Sequence, residues 1–133
     1  MDEVNLYVEA EIHPTESEEK VRRAVENVFG KISMQVKPMP KGSLLIAEAK
    51  GQEALTKFYN LLRRERIRDA ARGIFYEGMR GNAVNFCLNK QVAFAGHVSF
   101  SKETAESPLG PIKVRIECGN PRGLIDWLAP KTV

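Results

Sequence analysis

The chain of 133 residues is 43% hydrophobic and 28% charged, a composition that is ordinary for a globular protein and excludes disorder, collagen-like repeats and low complexity. Its length predicts a single domain over residues 1–133, which can bury a core without disulfides or metal. The formal net charge of +3 comes from 20 Lys and Arg against 17 Asp and Glu. As a total, this charge indicates no class of partner.

The sequence predicts a cytoplasmic protein without membrane contact. Its acidic N-terminus lacks the basic start, apolar stretch and cleavage site of a secretory signal. The longest apolar runs, 44–47 and 92–95, have four residues, whereas a membrane span needs about 18. Two cysteines, Cys87 and Cys118, are too few for the disulfide framework of a small secreted domain, and we interpret them as buried, reduced thiols.

The N-terminal segment predicts a strand followed by a helix. Apolar and polar residues alternate over residues 4–12, which indicates a strand with one face in water. Thr15 and Glu18 have the spacing of a capping box. The helix that follows carries an apolar stripe, and we expect it to end at Gly30.

The middle of the chain predicts two strands and then a helical region. Alternation over 32–36 and 44–50 indicates strands that pair antiparallel across the Pro- and Gly-rich loop between them. Helical spacing then extends over 51–77. One step of five residues between apolar positions interrupts the helical phase, so we infer a kink or a break near 63–66.

The last third of the chain is mostly extended. Its patterns predict, in order, a strand over 84–88, a turn or bulge at 89–90, an extended segment over 92–100, a polar loop over 101–110, a strand over 112–116 and a final helix that Asn120 caps. The complete order of elements predicts an α+β fold, with a largely antiparallel sheet covered by helices on one face.

Patterns typical of catalysis or of metal binding do not occur in the sequence. No two of the soft ligands have the close spacing of a zinc site; these ligands are His13, Cys87, His97 and Cys118. Glu9 and Glu11 share one side of the first predicted strand, but nothing there indicates the burial that acid–base chemistry needs. Nucleophile-elbow, P-loop and dinucleotide fingerprints are also absent. We therefore expect no metal, no cofactor and no enzymatic activity.

Positive charge is concentrated in one part of the chain. Residues 57–80 carry seven basic residues, namely Lys57, Arg63, Arg64, Arg66, Arg68, Arg72 and Arg80. Three acids oppose them, so this segment is +4 and the remaining residues sum to −1. If the second half of the helical region is continuous, Arg64, Arg68 and Arg72 stack along one flank, which could bind phosphates. The alternative is a solvated helix face whose arginines pair with Glu65 and Asp69.

Two short motifs known from RNA-binding domains are tested and set aside. Gly78–Gly81 has the G-x-x-G spacing of the KH loop, but a strand rather than a helix follows it, so we interpret it as a helix end and a turn. Val98–Phe100 matches only the tail of the RRM signature. Neither motif predicts a known RNA-binding domain.

Several segments together resemble an archaeal family of small uncharacterised proteins that are described as probable RNA-binding proteins. The resemblance covers nearly the whole chain and is carried by residues 13–29 (HPTESEEKVRRAVENVF), 61–72 (LLRRERIRDAAR), 86–100 (FCLNKQVAFAGHVSF), 108–112 (PLGPI) and 125–130 (IDWLAP). It implies a fold like that of ribosomal large-subunit protein five and an archaeal cytoplasmic setting. It implies no catalytic residues.

The hypothesis that follows is a non-catalytic RNA-binding protein, whose RNA is ribosomal or otherwise structured. Asn89, Lys90 and Gln91 interrupt an apolar region, and they could contact RNA or could only satisfy a local turn. The residues predicted to contact RNA are Arg63, Arg64, Arg68, Arg72, Arg80, Lys90 and Gln91.

Two alternatives stay open at the level of sequence. The first is a protein-interaction module that docks the same arginines on an acidic partner. The second is an enzyme for a phosphorylated small molecule, which requires Arg72, Lys90 and His97 to converge. The oligomeric state is not predicted.

Overall fold

The computed structural model describes residues 3–102 and 109–131. Its strands are β1 (Val4–Ile12), β2 (Ser33–Pro38), β3 (Ser43–Lys50), β4 (Met79–Arg80), β5 (Ala83–Asn89), β6 (Phe100–Ser101) and β7 (Pro111–Cys118). Its helices are α1 (Glu18–Phe29), α2 (Thr56–Arg64), α3 (Arg68–Glu77), α4 (Lys90–Phe94) and α5 (Pro121–Leu128), with a 3-10 turn at Gln52–Leu55 before α2. Most of the predicted loop over 101–110 lies outside the described residues.

The strands form one antiparallel sheet that stays open. Six strands follow the order β2-β3-β1-β7-β5-β4, and β6 pairs with β5 on a side path. Every strand pairing is antiparallel. The predicted α+β class with a largely antiparallel sheet is therefore confirmed.

One face of the sheet is covered and the other is open. Alternate residues of β1, from Val4 to Ile12, are buried in a core that also contains side chains of all five helices. Phe58 of α2 stacks on Phe86 of β5 with ring centroids 5.5 Å apart. The intervening residues of β1 point to the other face, where Tyr7, Glu9 and Glu11 are exposed and Asn5 is half-buried, as the alternation predicts.

The predicted helix break is confirmed, and the start of α1 needs a small correction. Arg66 lies between α2 and α3 with φ of 56°, a left-handed conformation that ends a helix. The first helix begins after Ser17 rather than Thr15, and no side chain caps it. The predicted capping box is therefore wrong, although Gly30 ends α1 as predicted, with φ of 82°.

The segment after β5 differs from the prediction. Residues 90–94 form α4, whereas a turn and then an extended segment were expected. The Asn89 side chain accepts a hydrogen bond from the Val92 amide (3.0 Å) and caps this helix. The apolar run over 92–95 is too short for its periodicity to distinguish a helix from a strand. The cap supplied by the Asn89 side chain favours the helix.

The G-x-x-G segment is a helix end and a turn, as predicted. Gly78 ends α3, and Gly81 turns the chain from β4 into β5 with φ of 57°. A Cβ atom at Gly78 would overlap the carbonyl oxygen of Asn85. Gly78 therefore permits α3 to end directly against β5.

The two cysteines are reduced thiols; Cys118 is buried and Cys87 is half-buried. Burial raises the pKa of the Cys118 thiol, against a smaller opposing effect of a backbone hydrogen bond with Asn120. Within residues 3–102 and 109–131, no helix combines the length and the apolar character that crossing a membrane requires.

Candidate nucleic-acid interface

Three arginines and a tyrosine form a surface where α3 meets α5, which we name the α3–α5 surface (Arg68, Arg72, Tyr76 and Arg122). Arg68, Arg72 and Tyr76 succeed one another at intervals of four residues on α3, so they share one face of that helix. Arg122 comes from the first turn of α5. The guanidinium carbons of Arg72 and Arg122 lie 5.2 and 6.0 Å from the centroid of the Tyr76 ring. The surface thus combines cations with an aromatic ring.

Arg72 also joins the two helices. Its Nη1 atom donates to a carboxylate oxygen of Asp126 (2.7 Å) and to the carbonyl oxygen of Ala129 (3.1 Å). The side chain is only 23% exposed. Arg72 is therefore an anchored member of the surface, while Arg122 is exposed and Arg68 is half-buried.

Arg63 holds the end of α5 through contacts inside the fold. Its guanidinium carbon lies 3.3 Å from the centroid of the Tyr59 ring. Its two terminal nitrogens donate to the carbonyl oxygens of Leu128 and Trp127, both at 3.2 Å. Since the last carbonyls of a helix have no partner within the helix, Arg63 supplies the donors that α5 lacks.

Arg64 does not continue the row of arginines on α3. The helix break at Arg66 separates α2 from α3, so the predicted stack of Arg64, Arg68 and Arg72 along one helix is wrong for Arg64. Arg64 instead donates to the carbonyl oxygen of Gly96 (2.8 Å), and 60% of its side chain remains exposed.

Glu65, at the end of α2, connects to the segment that follows α4. Its Oε1 atom lies 2.8 Å from Nδ1 of His97 and accepts from the Val98 amide at 3.4 Å. Partial desolvation raises the pKa of Glu65, but these hydrogen bonds and the nearby charges of His97 and Arg64 together outweigh it, so the pKa is lowered. Glu65 therefore acts as an ionised anchor for this segment.

Lys90 is buried, with 4% of its surface exposed. Its ammonium donates to the carbonyl oxygens of Glu11 (2.7 Å) and Leu109 (2.6 Å), and to a carboxylate oxygen of Glu16 (3.1 Å). All three donor positions of the ammonium are thus occupied within the protein. The structure gives Lys90 a structural role, and its neighbour Gln91 lies exposed at the start of α4.

Arg80 lies in yet another place, beside the open face of the sheet. Its Nη1 atom donates to the carbonyl oxygens of Glu77 and Met79, both at 2.8 Å, close to the end of α3. The seven residues predicted to contact RNA are therefore not one cluster. Arg68 and Arg72 share the α3–α5 surface, Arg80 borders the open face, and Lys90 and Gln91 line a cavity beside α1.

The open face of the sheet forms a shallow groove with a volume of about 820 Å³. Its floor consists of β1, β7 and β5, and the end of α3 with β4 forms one wall. In the register of the sheet, Tyr7 lies opposite Arg115, and Arg115 lies opposite Asn85. We name these three residues the Tyr7 row.

Sequence reasoning overlooked several residues of these two surfaces. Tyr76 had a detectable signal, because it extends the interval of four residues from Arg68 and Arg72. Arg122 had none, since it is isolated in the sequence and reaches Tyr76 only through the packing of α5 on α3. The Tyr7 row likewise requires knowledge of which strands are neighbours.

The residues of the enzyme alternative are bound in three separate networks. Arg72 pairs with Asp126, Lys90 with Glu16, and His97 with Glu65. Of the two cavities named above, one is lined by Lys90 and neither is lined by Arg72 or His97. In the described part of the chain, no three His, Cys, Asp or Glu side chains lie close enough together to hold a metal ion.

Comparison with known proteins assigns this chain to a family. The family described as "RNA binding" matches residues 5–118. A UPF0201 protein of Sulfurisphaera tokodaii is 44% identical over 127 residues, which cover 96% of this chain and 88% of that protein. A UPF0201 protein of Aeropyrum pernix is 42% identical over 131 residues, which cover 98% and 87% respectively.

The fold agrees with a solved structure from the same group. The crystal structure of a UPF0201 protein from Methanococcus jannaschii superposes with a TM-score of 0.84 at 31% identity, covering 95% of this chain and 99% of that one. The expected likeness to ribosomal large-subunit protein five is not confirmed by these comparisons. The chain therefore belongs to the UPF0201 family of archaeal proteins and to the RNA-binding family that matches residues 5–118.

Proposed function

We propose that this protein binds RNA without catalysing a reaction, and that the α3–α5 surface holds RNA phosphates. The observation that carries the proposal is Tyr76 with an arginine guanidinium near its ring from each of two helices. Membership of the RNA-binding family supports RNA as the ligand. The RNA is ribosomal or otherwise structured, as the sequence analysis suggests.

The chemistry of this surface suits a phosphate backbone. Arginine presents a planar fork of donors that matches phosphate oxygens. Arg122 is exposed and Arg68 is half-buried on one flank, and anchored Arg72 lies between Arg68 and Tyr76 on α3. Because Arg72 is bonded to Asp126 and Ala129, it would hold α3 and α5 in a fixed relative position. Arg68 and Arg122 would then make most of the contacts with RNA.

The other residues that the sequence predicted to contact RNA have a smaller part, or none, in this proposal. Arg64 has an exposed side chain and can extend the basic surface from α2. Arg63 and Lys90 donate to carbonyl oxygens inside the fold, so we assign them to stability. Arg80 and Gln91 lie elsewhere, and they are not needed for the phosphate contacts proposed here.

The test combines Arg68→Glu with Arg122→Glu and measures RNA binding by fluorescence anisotropy. We expect affinity for single-stranded and duplex RNA to fall at least about tenfold in both cases, because phosphate contacts carry no sequence information. Lys31→Glu with Lys41→Glu is the control, since both lysines are exposed and the change in net charge is the same. Equal losses in the two double variants would contradict the assignment of the surface.

Purification at low salt distinguishes the proposed function from the protein-interaction alternative. If the protein binds RNA, protein purified at low salt should carry nucleic acid, visible as a raised ratio of absorbance at 260 nm to that at 280 nm. A protein free of nucleic acid that shows no affinity for RNA in anisotropy would contradict the proposed function. An acidic protein partner would then be the better explanation of the arginines.

A further inference from the structure

The open face of the sheet carries side chains that the proposed function does not use. The Tyr7 row crosses three neighbouring strands and ends near the wall formed by α3 and β4. Tyr7 is 37% exposed on this face, although large aromatic residues are usually more deeply buried. Helices cover the opposite face of the sheet, and the end of α3 with β4 forms the wall that makes this face a groove.

We propose that this groove binds unpaired bases of single-stranded RNA, with Tyr7 as the stacking platform. The inference rests on the proposed function and deepens it, because it assigns bases to the open face and phosphates to the α3–α5 surface. Aromatic side chains on an open sheet are a general means of stacking splayed-out bases. Every base has a π-face, so such a platform tolerates different sequences.

The other two members of the Tyr7 row can donate to a base and accept from it. Arg115 pairs with Glu117, and its Nη2 atom lies 3.4 Å from that carboxylate at an exposed position. Such exposed pairs stabilise little, so the guanidinium can turn to a base edge at small cost. The Nδ2 atom of Asn85 donates to the carbonyl oxygen of Gly78 (3.2 Å), which orients the amide and makes its oxygen the acceptor for a base amino group.

The charges around the groove are of both signs, a mixture that suits base edges better than a continuous run of phosphates. Arg80, Lys113 and Arg115 contribute positive charge to its lining, and Glu9 and Glu77 contribute negative charge. In the sheet register, Glu9 lies directly opposite Lys113. Carboxylates close to the floor would repel phosphates but can accept hydrogen bonds from base amino groups. An RNA duplex, which turns its phosphates outward, is therefore the poorer ligand for this face.

The first arm of the test compares Tyr7→Ala with Tyr7→Phe in binding to a single-stranded oligoadenylate and to duplex RNA. Tyr7→Ala should weaken single-strand binding about tenfold, as expected for the loss of one stacking platform. Tyr7→Phe keeps the ring and should stay within about twofold of the wild type. Binding to the duplex should be unchanged by either variant. Thermal unfolding of Tyr7→Phe should match that of the wild type, and Tyr7→Ala should stay folded at the temperature of the binding assay, since Tyr7 lies outside the core.

The second arm locates the ligand directly in the wild-type protein. Addition of the oligoadenylate should shift the NMR signal of the Asn85 side-chain amide. If the wild type binds single-stranded RNA, but Tyr7→Ala does not weaken it and the Asn85 signal does not move, the inference is wrong and the α3–α5 surface still stands. If the wild type binds no RNA at all, the proposed function is wrong as well.

Discussion

The helical layer and the open face of the sheet use charged side chains in different ways. In the helical layer, Arg63, Arg72 and Lys90 each donate to at least one carbonyl oxygen that is distant in sequence. On the open face, Lys113 and Arg115 are exposed and lie opposite polar or aromatic residues of neighbouring strands.

This difference shows that the basic residues that cluster in the sequence fall into two kinds in the structure. Some cations complete the ends of helices and loops, where carbonyl groups lack partners, and others face outward and can meet a ligand. Arg63 and Arg64 are adjacent in sequence, yet the first is stacked on Tyr59 and donates to two carbonyl oxygens of α5, whereas the second donates to the carbonyl oxygen of Gly96 and stays 60% exposed. The predictions below measure how sharply the two kinds differ.

The largest expected effect is that of Lys90→Met. The variant keeps the apolar stem but leaves the Glu16 carboxylate and two carbonyl oxygens without their ammonium partner. Removing one member of a buried pair costs about 3–5 kcal/mol, measurable as a loss in the free energy of unfolding by urea. Lys113→Met is the matched control on the open face and should cost less than about 1 kcal/mol. Similar losses in both variants would remove the distinction between the two regions.

A smaller effect is expected for Arg63→Lys, which retains the charge but loses the planar fork. The ammonium cannot stack on Tyr59 and reach both carbonyl oxygens of α5 at once. We expect a loss of about 1–3 kcal/mol in the free energy of unfolding. The fluorescence of Trp127, the only tryptophan, should change in the folded state because α5 loses its anchor. Arg64→Lys should leave both quantities nearly unchanged, and a matching loss there would contradict the assignment.

The smallest effect concerns pH and Glu65→Gln. Because the folded-state pKa of Glu65 is lowered, its carboxylate adds stability above the unfolded pKa of about 4.3, and this stability is lost as the pH falls through the folded value. The variant should therefore be less stable than the wild type by up to about 1 kcal/mol at pH 7, and this difference should shrink as the pH falls through the folded-state pKa of Glu65. Glu9→Gln, on the open face, should change stability less at pH 7. A difference for Glu65→Gln that persists unchanged in acid would exclude this electrostatic origin.

The sequence predicted most of the fold because most elements are long enough to show a period. Alternation identified β1 and β7, and the five-residue step identified the break between α2 and α3. The five residues of α4 are too few for a helical period, so only the capping amide of Asn89 reveals that helix. The capping box at Thr15 failed because α1 begins later, at Glu18.

The candidate site was predicted only in part, because several of its contacts join residues that are far apart in the sequence. Arg68 and Arg72 could be assigned to one helix face because their spacing is local. The roles of Arg63 and Lys90 depend on carbonyl oxygens 65 and 19 residues away, at Leu128 and Leu109. No local pattern indicates such an acceptor, so burial of a cation by tertiary contacts could not be foreseen.

The central claim is that the α3–α5 surface holds phosphates while the open face holds bases. The most direct test is the slope of log Kd against log salt concentration for single-stranded RNA. For Arg68→Ala with Arg122→Ala, we predict a slope shallower than that of the wild type by about 1.4, or about 0.7 for each lost phosphate contact. Tyr7→Ala should weaken binding with no change in slope. An unchanged slope in the double arginine variant, or an equally altered slope in Tyr7→Ala, would contradict the account.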